Sequence, residues 1–369
     1  MQKKQVAIID IGSSKITTII GENGVNNTFI IKGRFNIPFE GYADGSFFDN
    51  SELEFVLRKA VKEIFKYSTK GVDTVYVGVP SNFTQVLVKD SQISFPKKKK
   101  IQPEDLDTLY DAAFALPSTR YTLISRSAVN FELDDFRRLK NPIGAVSEIL
   151  KGKLSFVYCS NYFLESVVPV IKGEGVEFVK CIPTAFAEGM YLTDDEMRDR
   201  LMVLLDVGYI STDLTIMQGD GIIFQSSFSY GGGFITASIS EKFDMEFQVA
   251  EKVKRKVNLC SLVKSGDYNV IDAEDGNYYS SEEIKRLVLD SIDELCDNIF
   301  QSLELFNKNI PDYVPLYLTG GGITCLRGAK EHLAERLGMN VEVISPRVPL
   351  MDKPAESSAL SLLDMALSY

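Results

Sequence analysis

Two apolar stretches of the chain share one order of residues. Residues 6–20 read VAIIDIGSSKITTII, and residues 201–217 read LMVLLDVGYISTDLTIM. In each stretch an apolar run leads into Asp, Gly and small hydroxyl residues, and a second apolar run follows. This pattern predicts two buried strands joined by a tight turn, that is, a β-hairpin. With two residues inserted in the second stretch, Asp10 matches Asp206 and Gly12 matches Gly208.

The elements that follow each hairpin are repeated as well. After the first hairpin the sequence predicts a strand at residues 29–38, a helix capped by Ser51, and a strand at residues 74–80. After the second it predicts a strand within residues 221–233, a helix from about Phe234, and a strand that runs into glycines at residues 315–322. Duplicated units of this kind imply an α/β fold with two related lobes and a cleft between them.

Residues 81–163 interrupt the repeated order. Here the pattern predicts a strand at residues 85–95, a helix with Pro103 in its first turn, and strands near residues 122–133 and 154–159. We interpret the segment as a small α+β insertion. Its lysine run, residues 97–100, is expected to be a solvated loop, and the alternative is a surface for an acidic partner or a lipid headgroup.

Length and charge narrow the class of protein. A chain of 369 residues is long enough for two or three domains. Its formal charge of −11 argues against nucleic acid as a partner, because binding to phosphates along a duplex needs clustered Lys and Arg. The first residues, MQKKQ, are not a signal peptide, and no apolar run reaches roughly 18 residues. The expected location is therefore the cytoplasm.

The cysteines and the single histidine exclude further classes of site. Five scattered cysteines without a CxxC pair are typical of a reducing cytoplasm and argue against a thiolate zinc site. His332 is the only histidine, which excludes histidine-based metal sites and disfavours a Ser-His-Asp triad.

The two glycine turns are candidate anion sites. Successive backbone N–H groups in such a turn can form a nest for an anion, and the neighbouring hydroxyls and Lys15 add further donors. One such turn alone would be an ordinary hairpin, whereas two that face each other could hold a polyphosphate from both sides. Asp10 and Asp206, which precede the turns, are expected to hold Mg²⁺ through water, because Mg²⁺ dehydrates reluctantly.

Three further features predict contacts to a nucleoside. The segment LTGGG has no Cβ atoms at residues 320–322, so a flat base or ribose could lie against the backbone. Glu251 and Lys254 share one helix face and could bond ribose hydroxyls, although a solvent-exposed ion pair would have the same spacing. The turn SYGGGF, residues 229–234, leads into a helix whose free N–H groups could face the ligand.

The order of these motifs resembles the actin superfamily. DIGSSK, PTAFAEG, DVGYISTD, LTGGG and AESSALSLL are similar to its nucleotide-site and hinge motifs, and AEKVK and YGGGFIT to its adenosine helix and the preceding glycine turn. Within the superfamily the chain is most similar to the FtsA family of bacterial cell-division proteins. The insertion decides this, because QPEDLDTL and LKNPIGA are similar to that family's inserted domain, which actin, MreB and the DnaK-type chaperones lack.

The resemblance implies an α/β, actin-like two-lobed fold with a duplicated ribonuclease-H-like core. Residues 1–80 and 164–200 would form the first lobe, 81–163 an inserted α+β interaction subdomain, 201–345 the second lobe, and 346–369 a closing hinge and helix. It also implies ATP and Mg²⁺ as cofactors, with Asp10 and Asp206 on the metal. The residues expected to bind ATP are Gly12, Ser13, Ser14, Lys15, Gly208, Tyr209, Ser211, Gly232, Glu251, Lys254, Gly320, Gly321 and Gly322.

The function implied by the resemblance is that of a filament-forming adaptor of cell division. Such a protein lies at the inner face of the cell membrane at the division site, links a ring of an FtsZ-like tubulin homologue to the membrane, and recruits other division proteins, here through residues 81–163. Family members usually end in an amphipathic membrane helix. This sequence closes with LSLLDMALSY and has no Lys or Arg after Lys353, so we expect membrane attachment only through an anchor outside it.

One departure from the family pattern bears on catalysis. The second phosphate turn of the family usually reads DxGGGTTD, and here Tyr209 and Ile210 replace two of its glycines. Their side chains restrict positive φ angles and crowd a phosphate. Because no general base is identifiable either, we expect slow or absent ATP hydrolysis. Two alternatives stay open: a scaffold similar to the pilus-assembly protein PilM, and a small-molecule kinase of the same superfamily, for which no catalytic Asp is evident.

Overall fold

The computed structural model describes residues 5–25, 28–68, 72–114, 119–260, 270–272 and 277–369. The first elements along the chain build most of one sheet and the helix on its face. They are β1 (Gln5–Ile11), β2 (Lys15–Asn23), β3 (Phe29–Pro38), β4 (Tyr42–Ala43), β5 (Ser46–Phe47), α1 (Asn50–Tyr67) and β6 (Thr74–Val79).

The next elements form the inserted segment and then return to the first sheet. The inserted elements are β7 (Thr84–Lys100), α2 (Pro103–Ala113), β8 (Tyr121–Leu133), β9 (Arg138–Leu139) and β10 (Val146–Ser160). The returning elements are α3 (Asn161–Gly173), β11 (Phe178–Pro183), α4 (Thr184–Leu192) and α5 (Asp195–Asp199).

The remaining elements form the second sheet with its helices, and a last helix. They are β12 (Met202–Val207), β13 (Thr212–Gln218), β14 (Gly221–Phe228), α6 (Gly232–Phe243), α7 (Phe247–Lys256), β15 (Val270–Asp272), β16 (Tyr278–Ser280), α8 (Ser281–Phe306), β17 (Leu316–Thr319), α9 (Ala329–Leu337), β18 (Val341–Val343) and α10 (Ser357–Ser368).

Two five-stranded sheets repeat one topology. The first has the strand order β3-β2-β1-β6-β11, and the second has the order β14-β13-β12-β17-β18. In each sheet three consecutive strands are antiparallel neighbours, and two further strands continue the sheet in parallel. The duplication and the α/β class predicted from the sequence are therefore confirmed.

The apolar runs form the strands buried at the centre of each lobe. β1 and β2 are buried along most of their length, because helices cover both faces of their sheet. The cover on one face is α1 with α3, and on the other α4 with α10. Asp49, and not Ser51 as predicted, caps α1, since the Asp49 carboxylate accepts hydrogen bonds from the N–H groups of Ser51 and Glu52.

The inserted segment is a four-stranded sheet, of order β7-β10-β8-β9, with α2 against it. The lysine run predicted to be a loop is instead the end of β7, paired with the start of β10. The ammonium of Lys98 lies 3.3 Å from Asp134, and that of Lys99 lies 2.8 Å from Asp105. These ion pairs partly neutralise the lysine charges, which allows the run to continue the strand.

This inserted sheet also contacts the second lobe. The buried hydroxyl of Ser155 donates to the carbonyl oxygen of Ile222 at 2.6 Å. The N–H of Asp220 donates to the carbonyl oxygen of Ala128 at 3.1 Å. Val157 packs with Met217 and Ile222 in a shared apolar cluster. The insertion therefore joins the lobes on the side where β14 ends its sheet.

Candidate functional site

A cleft of about 620 Å³ lies where the two hairpins meet between the lobes. It is lined by both glycine turns, by the ends of β1 and β12, and by residues from α4, α7 and the start of α10. Of the residues predicted to bind ATP or metal, those on its wall are Asp10, Gly12, Ser13, Ser14, Lys15, Asp206, Gly208, Tyr209, Ser211, Glu251, Gly320 and Gly321.

The two turns have the same local geometry. In the first turn the N–H of Gly12 donates to the carbonyl oxygen of Lys15 at 3.0 Å. In the second the N–H of Gly208 donates to that of Ser211 at 2.9 Å. Each turn follows a strand that lies at the centre of its sheet, so the two turns come from equivalent places in the two lobes and face one cleft.

The turns also touch each other across the cleft. The backbone N–H of Ile210 donates to the Ser13 hydroxyl oxygen at 3.1 Å. The residues are 197 positions apart in the chain, and no sequence pattern indicated the contact.

Asp10 and Asp206 lie in the cleft at equivalent positions, next to last in β1 and β12. The hydroxyl of Ser358 donates to Asp10 Oδ1 at 2.6 Å, which links the cleft to α10. Burial raises the pKa of Asp10 to about 6, although this hydrogen bond opposes the shift. Burial, together with the charges of Asp213 and Asp10, raises the pKa of Asp206 to about 7. A carboxylate without a nearby cation is thus unfavourable here.

Besides the exposed Glu40, two further carboxyl groups in the cleft were missed at the sequence level. Asp213 lies opposite Asp206 in the register of β12 and β13, and burial raises its pKa to about 6. Glu188 of α4 is 2% exposed, and its Oε1 atom has no hydrogen-bond partner. Burial first, and then the charges of Asp206, Asp213 and Asp10, raise the pKa of Glu188 well above its usual value.

These two carboxyl groups weaken one reason for expecting slow hydrolysis. The sequence showed no general base, whereas the structure places Glu188 and Asp213 on the wall of the same cleft. Both residues lie in quoted motifs, PTAFAEG and DVGYISTD. Only the fold shows that an acid within a helix and an acid after a turn share one cavity.

The glycines of LTGGG have two different positions. Gly320 and Gly321 line the cleft. Gly320 has a φ of +87°, a conformation that favours glycine. In addition, a Cβ at this position would overlap an Asp206 carboxylate oxygen. A Cβ on Gly321 would lie 3.0 Å from the Cβ of Ala355, so only a narrow slot separates these segments. Gly322 and Gly232 pack against each other outside the cleft wall.

Of the two residues predicted to bond the ribose, Glu251 and Lys254, only one lines the cleft. Glu251 lines the cleft, but the Lys254 ammonium is buried and donates to the carbonyl oxygen of Gly232 at 2.7 Å and to Thr236 Oγ1 at 2.9 Å. Its ion pair with Glu251 measures 2.7 Å. Lys254 thus holds the glycine turn before α6, whereas Arg255, at 2.8 Å from Glu251, is the cation that this helix adds to the cleft wall.

The donor set fits a hydrated cation better than a directly chelated one. Among the residues that the structure describes, no group of three or more His, Cys, Asp or Glu side chains could hold a metal ion. Asp10 and Asp206 are nevertheless buried or half-buried carboxylates in one cleft, and Glu188 has an orphaned acceptor there. A Mg²⁺ that keeps several of its waters suits these residues.

Comparison with known proteins finds similarity to the cell division protein FtsA. The family model described as cell division protein FtsA matches residues 203–361. The FtsA of Bacillus subtilis is 23% identical over 366 residues, which covers 97% of this chain and 82% of that protein. The FtsA of Staphylococcus epidermidis is 21% identical, over 100% of this chain and 80% of that protein. The chain is thus similar in sequence to FtsA proteins over nearly its whole length.

Solved structures agree with this FtsA relationship at the level of fold. A chain from the PilM-PilN type IV pilus biogenesis complex aligns with a TM-score of 0.65 at 19% identity, over 98% of both chains. MreB5 of Spiroplasma citri bound to ADP aligns with a TM-score of 0.55 at 14% identity, over 98% of this chain and 95% of that one. The actin-like fold predicted from the resemblance to FtsA is confirmed. Within the parts of the chain that are described, no helix is long and apolar enough to cross a membrane.

Proposed function

We propose that this chain binds ATP with Mg²⁺ in the cleft between its lobes and acts as an actin-like protein of bacterial cell division. The observation that carries the nucleotide proposal is the pair of matching glycine turns that face one cleft from equivalent strands. Residues 12–15 and 208–211 would contact the phosphates, and Gly320 with Gly321 would lie under the base.

Several residues of the cleft would hold the cation of this complex. Asp10 and Asp206 would accept hydrogen bonds from waters of Mg²⁺, and the bound ion would neutralise part of the phosphate charge. The ion would also reduce the repulsion among the carboxylates of Asp10, Glu188, Asp206 and Asp213. Lys15 and Arg255 add positive charge at the cleft wall.

The cellular part of the proposal rests on the FtsA relatives. They support a role in cell division, in which the chain would assemble into filaments and link an FtsZ-like tubulin homologue to the inner face of the membrane. The inserted sheet would supply surface for other division proteins. An actin-like subunit has different surfaces at its two ends, so its stacking is heterologous and yields open filaments.

The nucleotide proposal is tested by titrating ATP and Mg²⁺ into the purified chain in a calorimeter. Gly321→Arg should abolish binding, because the new side chain would fill the slot beside Ala355. Gly173→Arg is the matched control, since a side chain at that exposed end of α3 meets no atom within 4 Å. Lys98→Ala on the insertion should also leave binding intact.

Two outcomes would contradict the proposal. One is normal ATP binding by Gly321→Arg, which would remove this turn from the site. The other is the absence of nucleotide binding by the unaltered, folded chain, which would remove the site altogether.

A further inference from the structure

Ile210 brings the second glycine turn into contact with the first lobe. Its N–H donates to the Ser13 hydroxyl at 3.1 Å, and Ser13 itself is only 6% exposed. The Ile210 side chain reaches Gly41, where a Cβ would lie 3.0 Å from its Cδ1 atom. Both the backbone and the side chain of Ile210 therefore occupy the narrow region between the two turns.

This contact changes what the turns offer to an anion. A nest binds an anion through backbone N–H groups that are directed at it, and the Ile210 N–H is directed at a protein oxygen instead. A phosphate placed between the turns would have to displace that hydrogen bond, which is unfavourable unless the phosphate replaces it. It would also meet a branched side chain at a position where glycine would leave room.

The charge of the cleft acts in the same direction. Of the described residues that line it, six carry carboxyl groups and two are cationic. The acidic residues are Asp10, Glu40, Glu188, Asp206, Asp213 and Glu251. One of the two cations, Arg255, is already paired with Glu251. Each additional phosphate therefore enters a cleft in which negative charge exceeds positive charge.

We propose, on the basis of the nucleotide binding proposed above, that the cleft takes a nucleoside diphosphate in preference to the triphosphate. Ile210 is the residue that sets this preference, because it closes the space between the turns in which a terminal phosphate would lie. The diphosphate form would then be the stable ligand of the folded protein, and triphosphate binding would require the turns to separate.

The experiment compares ADP with the non-hydrolysable analogue AMPPNP, each with Mg²⁺, by calorimetry on the full chain. ADP should bind the unaltered chain about tenfold more tightly than AMPPNP, which corresponds to about 1.4 kcal/mol. Ile210→Gly should bring the two affinities close together by strengthening AMPPNP binding. Ile210→Val keeps a branched side chain at the same place and should keep the preference.

Each result separates this inference from the function on which it rests. If neither ligand binds the unaltered chain, nucleotide binding itself is refuted. If AMPPNP binds as tightly as ADP, or if the preference persists in both Ile210→Gly and Ile210→Ala, the role of Ile210 is refuted while nucleotide binding stands. Thermal melting of each variant shows whether it is folded, and Ile210→Ala serves where the glycine variant is not.

Discussion

At the residue scale, four of the six acidic side chains of the cleft are the most consequential feature. Asp10, Glu188, Asp206 and Asp213 come from four different elements and share one cavity. Burial disfavours the charged form of all four, and the charges of neighbouring members of the group add to this effect for Asp206 and Glu188, so the folded chain favours their protonated forms. The folded protein is therefore least stable when all four carboxyl groups are ionised, and a cation bound in the cleft would offset this loss of stability.

This reasoning predicts an unusual pH dependence. The pKa values of Asp10, Asp213 and Asp206 are raised to about 6, about 6 and about 7, whereas an unfolded Asp titrates near ~4. Between the unfolded and the folded pKa values, the folded chain binds more protons than the unfolded chain does. The free energy of unfolding therefore falls as the pH rises from about 4 to about 7. With a chelator present, the melting temperature should be higher at about pH 5.5 than at about pH 7.5, and Mg²⁺ should reduce the difference.

Asp206→Asn provides the matched test, because it removes one charge and keeps the shape of the side chain. This variant should melt at a higher temperature than the unaltered chain at about pH 7.5 and should show a flatter pH profile. Equal profiles for the two proteins would show that the carboxyl groups do not interact as described.

At the scale of single elements, the sequence predicted best where one buried strand follows another. The bounds of β3 agree with the prediction and those of β1 and β6 differ from it by one residue, whereas β2 extends three residues past its predicted end. β1, β2 and β6 could be found because burial on both faces leaves a continuous apolar run. Of the inserted strands, β8 differs from its prediction by one residue, whereas β7 and β10 were predicted too short. β10 carries polar residues such as Lys151 and Lys153 on its wet face, and its length depends on pairing with two partner strands.

The two glycine turns of the site could be predicted from the sequence, whereas several side chains around them could not. Asp10 and Asp206 were found because a duplicated motif places them, and duplication is visible in sequence. Glu188 has no such copy, and the buried bonds of Lys254 depend on the carbonyl of Gly232 in another helix. The contact between Ser13 and Ile210 exists only because the two lobes come together.

The edge strand β7 carries a prediction about assembly. It forms one edge of the inserted sheet, and its end bears Lys97 and Lys100, which are exposed. An exposed edge strand can pair with another chain. Because each chain has a formal charge of −11, glutamates in place of these lysines should increase the repulsion between two copies. We expect Lys97→Glu with Lys100→Glu to lower the fraction of protein that sediments as filaments, by changing the insertion's contact with a neighbouring subunit.

The control for this prediction is Lys62→Glu on α1, which reverses a charge at an exposed position in the first lobe. All variants should keep the unfolding free energy within about 0.5 kcal/mol of the unaltered chain, as surface changes usually do. Sedimentation that is unchanged by the double substitution would show that β7 does not contact a neighbour.

At the scale of the whole molecule, α10 connects distant parts of the chain. It packs against β1, β2 and α4 in the first lobe, and Ser358 at its start bonds Asp10 in the cleft. The buried residues of this helix form an apolar cluster with Val6, Ile8 and Ile19. The first lobe is therefore completed by residues from the far end of the sequence.

Leu363→Ala tests how much this helix contributes to stability. The side chain is fully buried and lies against Gly21 of β2, so its removal leaves a cavity within the first lobe. The free energy of unfolding, measured with urea, should fall by about 3 kcal/mol. Leu305→Ala is the matched control, because Leu305 is 71% exposed and its truncation should cost little. An equal effect of both substitutions would refute the packing role of α10.

The position of α10 in the sequence also has a consequence for protein synthesis. Ribosomes add roughly 5–20 residues per second, so β1 exists for tens of seconds before α10, which together with α4 covers one face of its sheet, has been made. During that interval Val6 and Ile8 lack the partners that bury them in the finished protein. The nascent first lobe therefore lacks part of the apolar cover of this sheet face until translation of α10 is complete.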